Sequence, residues 1–100
     1  MVVYEVRIAV DPAIRDEYRA WLDGHVREIL ALPGFERAEL YVEEADGGEP
    51  VYVVRYHLVS RAALEDYLRE HAPRLRAEGL ARFGDRMRAS RRVLALERRW

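Results

Sequence analysis

One hundred residues and 11.7 kDa suffice for one domain, 1–100, with one modest core and exclude a chain divided between two. Half of the residues are hydrophobic and 35% charged, a soluble globular composition. It excludes an intrinsically disordered chain, and no apolar run reaches the roughly 18–20 residues of a membrane span. The absence of cysteine excludes disulfides, thiol catalysis and cysteine-type zinc sites.

The N-terminus reads as a strand and not as a signal peptide, so the expected location is cytoplasmic. All 17 basic residues are arginine, and asparagine, glutamine and threonine are absent as well. Schiff-base lysines, P-loop lysines, asparagine oxyanion donors and threonine nucleophiles are therefore ruled out. Net charge is −1, unevenly spread. Residues 1–73 carry 8 Arg against 15 acids, and residues 74–100 carry 9 Arg against 3. A basic final segment can mark an anionic partner; here the expectation is that it pairs with acidic neighbours in its own sheet or across a subunit interface.

Val2 to Val10 alternates, with Val2, Tyr4, Val6, Ile8 and Val10 on one face and Val3, Glu5, Arg7 and Ala9 on the other, which predicts a half-buried strand. Asp11-Pro12 supplies an N-cap and a first-turn proline. Ile14, Tyr18, Trp21, Leu22, His25, Ile29 and Leu30 then recur at helical spacing up to Pro33-Gly34. Phe35 to Glu44 is a second strand, with Ala38, Leu40 and Val42 on one face and Phe35, Arg37, Glu39 and Tyr41 on the other. Asp46-Gly47-Gly48 predicts a hairpin loop. Val51 to Leu58 is the third strand, its Tyr52, Val54, Tyr56 and Leu58 opposite Val51, Val53, Arg55 and His57. Ser60 caps a second helix with an apolar face of Leu64, Tyr67, Leu68, His71 and Leu75. Pro73 predicts a break near Ala72, a further helical stretch to about Phe83, and Gly84 as a left-handed cap. Arg86 to Glu97 is the last strand.

The order β-α-β-β-α-β, with one apolar face per helix, predicts an α+β, ferredoxin-like domain: a four-stranded antiparallel sheet with both helices on one face. The other sheet face then presents Val3, Ala9, Phe35, Tyr41, Val51 and Val53 among charged side chains. A second copy of the same face would cover them, giving a two-fold homodimer.

His25 and His71 fall at positions on apolar helix faces where leucine or isoleucine is usual, and with Trp21 and Tyr67 they are the candidate lining of a ligand cavity between helices and sheet. A flat apolar molecule is the expected ligand. The alternative for each histidine is a structural role, satisfied by a carbonyl or carboxylate near a helix end. No catalytic residue emerges. Histidine spacing offers no metal motif, so neither metal nor cofactor is expected. Nucleic acid is disfavoured too: RNA-recognition domains share this strand–helix order but stack bases on exposed strand aromatics, whereas Tyr4, Tyr52 and Tyr56 fall on the core side.

Val3-Tyr4-Glu5-Val6, the helix bearing Trp21 and His25, His71-Ala72-Pro73-Arg74-Leu75-Arg76, Ala81-Arg82-Phe83-Gly84 and Ala89-Ser90-Arg91-Arg92-Val93-Leu94 together resemble the DUF4286 family of small, uncharacterised bacterial proteins. The resemblance spans essentially the whole chain. It implies a dimeric α+β barrel, the group that includes antibiotic-biosynthesis monooxygenases, dye-decolourising haem enzymes and small stress proteins, and it implies no agreed activity. Two functions follow as expectations: a homodimer binding a small apolar ligand, or a cofactor-independent monooxygenase-like enzyme. A closed, well-packed region around His25 and His71 favours the first, and an open cavity lined by both favours the second.

Overall fold

The computed structural model describes residues 1–44 and 47–100. In chain order the elements are β1 (Val2–Val10), α1 (Arg15–Leu30), β2 (Phe35–Val42), β3 (Val51–Leu58), α2 (Arg61–Glu70), α3 (Ala72–Phe83) and β4 (Met87–Ala95). All strand pairs are antiparallel, in the spatial order β2-β3-β1-β4. This is the ferredoxin-like arrangement expected from the periodicity.

The local signals act at their places with small displacements. Asp11 accepts a hydrogen bond from the Ala13 N–H at 2.9 Å, but what it caps is a 3-10 turn, Pro12–Ile14, that leads into α1. Ser60 accepts from the Ala63 N–H at 3.1 Å and caps α2. The break before Pro73 falls at His71, whose φ of −124° and ψ of −37° lie outside the helix. Gly84 closes α3 with φ +59° and ψ −136°, a positive φ as expected but not the left-handed helical conformation. In the β2–β3 connection, Gly47 and Gly48 have φ of +94° and +86°. The Asp46 part of the predicted turn lies outside the described residues.

The core lies between the helices and the inward face of the sheet: Tyr4, Ile8 and Val10 from β1, Val54, Tyr56 and Leu58 from β3, Tyr18, Leu22 and Ile29 from α1, and Leu64, Tyr67, Leu75 and Phe83 from α2 and α3 are all buried. Phe35, partly buried, packs against this set and does not lie, as alternation suggests, on the open face. The β2–β3 pairing shifts between Phe35 and Arg37: Phe35 lies opposite Leu58 and Arg37 opposite His57. One extra residue on β2 is a β-bulge, which reverses the side-chain order on one side of it. Phe35 therefore packs edge-on against Tyr67 at 5.1 Å and Tyr56 at 5.8 Å. Leu40 and Val42, at the far end of β2, face the helix side but remain exposed; Leu40 borders a hollow between β2 and Arg19, Leu22, Asp23 and Val26 of α1.

Gly34, just before the bulge, has φ +88°, and a Cβ on it would lie 2.4 Å from the Ala63 Cβ of α2. Strain and collision act together here, so Gly34→Ala is expected to lower unfolding free energy by roughly 2 kcal/mol or more. A urea titration showing an unchanged midpoint would contradict the close approach of this loop to α2.

Candidate functional site

A cavity of about 50 Å³ lies between the helix layer and the sheet. Tyr4, Val6 and Ile8 of β1 and Val54 and Tyr56 of β3 form its floor; Tyr18, Trp21 and His25 of α1, Tyr67 of α2 and Arg76 and Gly79 of α3 form its walls; Met87, Ala89 and Arg91 of β4 close one side. Its walls are mostly aromatic, and its volume admits a few water molecules.

Three of the predicted lining residues meet here. Trp21 and His25, one turn apart on α1, stack with ring centroids 4.5 Å apart and planes 20° from parallel. Tyr67 enters from α2, edge-on to Tyr4 at 5.9 Å. His71 does not join them. It stands at the α2–α3 break and lines a separate hollow with Leu32, Pro33, Val59 and Glu70, in which Tyr67 is the shared wall. The helical spacing that put His71 on the same stripe as Tyr67 fails because the helix is interrupted at that residue.

Gly79 gives Trp21 its place: a Cβ there would come within 3.2 Å of both the indole and the end of Met87. The tyrosines differ in their partners. Tyr4 accepts a hydrogen bond from Arg76 Nη2 at 2.9 Å. For Tyr18, Tyr56 and Tyr67, which are 3%, 2% and 5% exposed, no hydroxyl bond to another described residue is found. Burial raises the Tyr18 and Tyr67 hydroxyls to about 12 and the Tyr56 hydroxyl further, so all three are neutral donors at physiological pH. The rings are buried, but none of the three hydroxyl oxygens is fully enclosed; among the described residues the fully enclosed polar side-chain atom without a partner is His57 Nδ1.

Burial holds His25 below its ordinary 6.5; Glu28 and Glu78 oppose this and Arg91 reinforces it. Its imidazole is therefore neutral at pH 7, able to take a proton. Arg91 reaches the helix side of the sheet because β4 alternates Met87, Ala89, Arg91 and Val93 onto that face, with Arg91 opposite Val6. Its charge acts on Tyr18, His25, Tyr56 and Tyr67 alike. Among the described residues neither Arg91 nor Arg76 has a carboxylate partner, while Arg7, Arg55, Arg74, Arg88 and Arg92 all do. In the sequence Arg91 is one arginine of the basic final segment and stands out by nothing else. The available signal was its register, an arginine in step with the inward-facing Met87 and Ala89. Among the described residues no cluster of three or more histidine or acidic side chains could hold a metal ion.

The family model of a domain of unknown function, DUF4286, matches residues 1–97. The chain belongs to the DUF4286 family. No curated protein matches it, but solved structures do. Rv0793 from Mycobacterium tuberculosis is 32% identical, with 98% of this chain and 96% of that one covered and a TM-score of 0.67. SnoaB from Streptomyces nogalater, a cofactor-independent oxygenase, is 18% identical over 98% of this chain and 94% of its own, with a TM-score of 0.72. A Deinococcus radiodurans protein assigned to the antibiotic biosynthesis monooxygenases is 10% identical, covers 100% of this chain and 96% of its own, and has a TM-score of 0.77. The latter two likenesses establish the shared fold of this DUF4286 chain and its neighbours.

Since His25 in the folded chain holds its proton less tightly than a free side chain, the unfolded chain takes up the extra proton. Its contribution is neutral above pH 6.5, and stability declines as pH falls below that value. Imidazole resonances in an NMR titration are expected to place the His25 midpoint below 6.5; a midpoint above it would mean that the ring is not held in this cavity.

Proposed function

We propose that this protein is a homodimer that binds a flat, mainly apolar molecule carrying one acidic group in the cavity between helices and sheet. The observation that carries the reading is the meeting at one cavity of tyrosines whose hydroxyls have no partner among the described residues with an arginine, Arg91, that lacks a carboxylate partner. The aromatic walls suit a planar ring system, the hydroxyls suit its oxygens, and Arg91 with Arg76 suits an anion. At about 50 Å³ the empty cavity is far smaller than the roughly 300 Å³ or more of an occupied ligand site. Binding therefore requires side chains to move, and half-buried Trp21 and the flexible Met87 are the ones placed to do so. Self-association rests on the open sheet face, where Val3, Val51, Val53 and Leu94 are half-buried and Tyr41 is exposed, and no helix of the chain covers them.

A second reading, oxygenation of the bound molecule, is favoured by the neutral His25 beside Trp21 and by the shared fold with a cofactor-independent oxygenase. In it His25 takes the proton from an acidic hydroxyl of the ligand, Arg91 holds the resulting anion, and molecular oxygen is the oxidant. With no amide side chain anywhere in the sequence, the side chains that can read the ligand's oxygens are those with hydroxyl, imidazole, indole and guanidinium groups.

Binding of naphthalene and 2-naphthoate, followed by calorimetry, tests the first reading. The carboxylate is expected to bind at least tenfold more tightly, and Arg91→Ala to erase that preference; equal weak binding of both compounds would dismiss it. For the second, 1-naphthol under air is expected to be consumed with oxygen uptake by the native protein and not by His25→Ala. Light scattering at micromolar concentration is expected to give twice the chain mass, and the mass of a single chain would refute the homodimer.

A further inference from the structure

At the cavity α3 stands between α1 on one side and β4 on the other, and the two seams it makes are built differently. Against α1 the seam is strapped at both ends. Arg82 Nη2 of α3 donates to Glu17 Oε1 at 3.4 Å, and Arg74 Nη1 donates to Glu28 Oε1 at 3.3 Å. Between the straps the Trp21 indole lies against Gly79. It is braced by Tyr18, His25 and Phe83, at centroid distances of 5.7, 4.5 and 5.4 Å. Against β4, among the described residues, no ion pair or side-chain hydrogen bond joins the two elements. Half-buried Met87 fills that seam, its Cε 3.2 Å from where a Cβ on Gly79 would lie. The next inward residue of β4 is Ala89, with only a methyl group, and then comes Arg91. Arg91 and Arg76 both line the cavity and both are exposed. Arg76 donates to the Tyr4 hydroxyl, and among the described residues neither arginine has a carboxylate partner.

We infer that an anionic ligand enters and leaves the cavity between α3 and β4, with Met87 as a movable plug and Arg76 and Arg91 as a cationic rim that draws it in. The inference rests on the cavity-binding reading above and adds the route. Opening this seam takes rotations of one unbranched, flexible side chain. Opening the other means breaking two ion pairs and pulling Trp21 out of an aromatic cluster. The ion pairs are half exposed and individually weak, so the cluster is the larger obstacle. The sheet beneath the cavity offers no passage, because β1 is hydrogen-bonded to β3 on one side and to β4 on the other. β4 is an edge strand, which leaves the rim facing solvent. Two arginines without carboxylates make a local positive field on a chain whose net charge is only −1, and such a field raises the association rate of an anion. Trp21 then adjusts to the ligand once it is inside.

Of the two tryptophans, Trp100 is 96% exposed, so Trp100→Phe leaves Trp21 as a reporter at the cavity. In that background, stopped-flow quenching of Trp21 follows the arrival of 2-naphthoate and of naphthalene. At low salt 2-naphthoate is expected to associate about tenfold faster than naphthalene, and the two rates to converge at ~0.5 M salt. Arg76→Gln is expected to slow 2-naphthoate about threefold at low salt and to leave naphthalene unchanged. Met87→Ala is expected to speed association and dissociation together, whereas a methionine that only fills space would alter dissociation alone. The absence of cysteine lets the α1–α3 seam be locked: Glu28→Cys with Arg74→Cys, joined by a short thiol–thiol crosslinker, is expected to leave both association rates unchanged. Loss of association on crosslinking that seam, or 2-naphthoate arriving no faster than naphthalene, would overturn the route and leave the binding reading standing. No quenching by either compound at any concentration would overturn both.

Discussion

A hundred residues supply enough helix to cover one face of a four-stranded sheet and not the other, and the rest of this structure follows from that imbalance. On the covered side the layer is filled by tyrosine and aliphatic side chains in regular alternation. On the open side alternation continues, but the positions are shared between valine and charge. Desolvation of a carboxylate in such a place is unfavourable unless it is paired and hydrogen-bonded. Glu5 meets that condition with two arginines drawn from the strands on either side. The basic last strand is thus explained in part by its position beside an acidic central strand, within the same sheet.

The helix side carries its own departure from a sealed core. A layer made of tyrosines turns hydroxyls toward the interior. Arg76 reaches Tyr4 from α3; Tyr18, Tyr56 and Tyr67 surround the cavity instead. The small size of Gly79 lets the Trp21 indole lie close against α3, and the break at His71 starts α3 as a separate helix. The cavity depends on these two features and on the inward register of Arg91. Its shape and lining come from geometry that no single stretch of sequence contains.

Much of this was legible beforehand. Alternation in Val2–Val10 and Val51–Leu58, the helical stripe from Ile14 to Leu30, the Asp11 and Ser60 caps and the interruption by Pro73 all report local backbone physics, and the fold follows from their order. The spacing of Trp21 and His25 puts them on one face of α1, and the fold expected from the element order sets Tyr67 of α2 on the same side of the sheet. Phe35 could not be placed, because a bulge reverses alternation without any residue type that announces it. His71 could not be separated from Tyr67, because the periodic reading carried one helix through a residue where the chain leaves helical geometry.

By itself, then, the sequence determined the elements, their order and the sidedness of each, since these depend on side-chain periodicity and on caps within a few residues. Only the tertiary structure decided which of the inward positions leave a space between them, which arginines find carboxylates and which do not, and which charges meet across neighbouring strands. Those are properties of residues as far apart as Glu5 and Arg92, 87 positions along the chain, and they exist only once strand pairing has set the register.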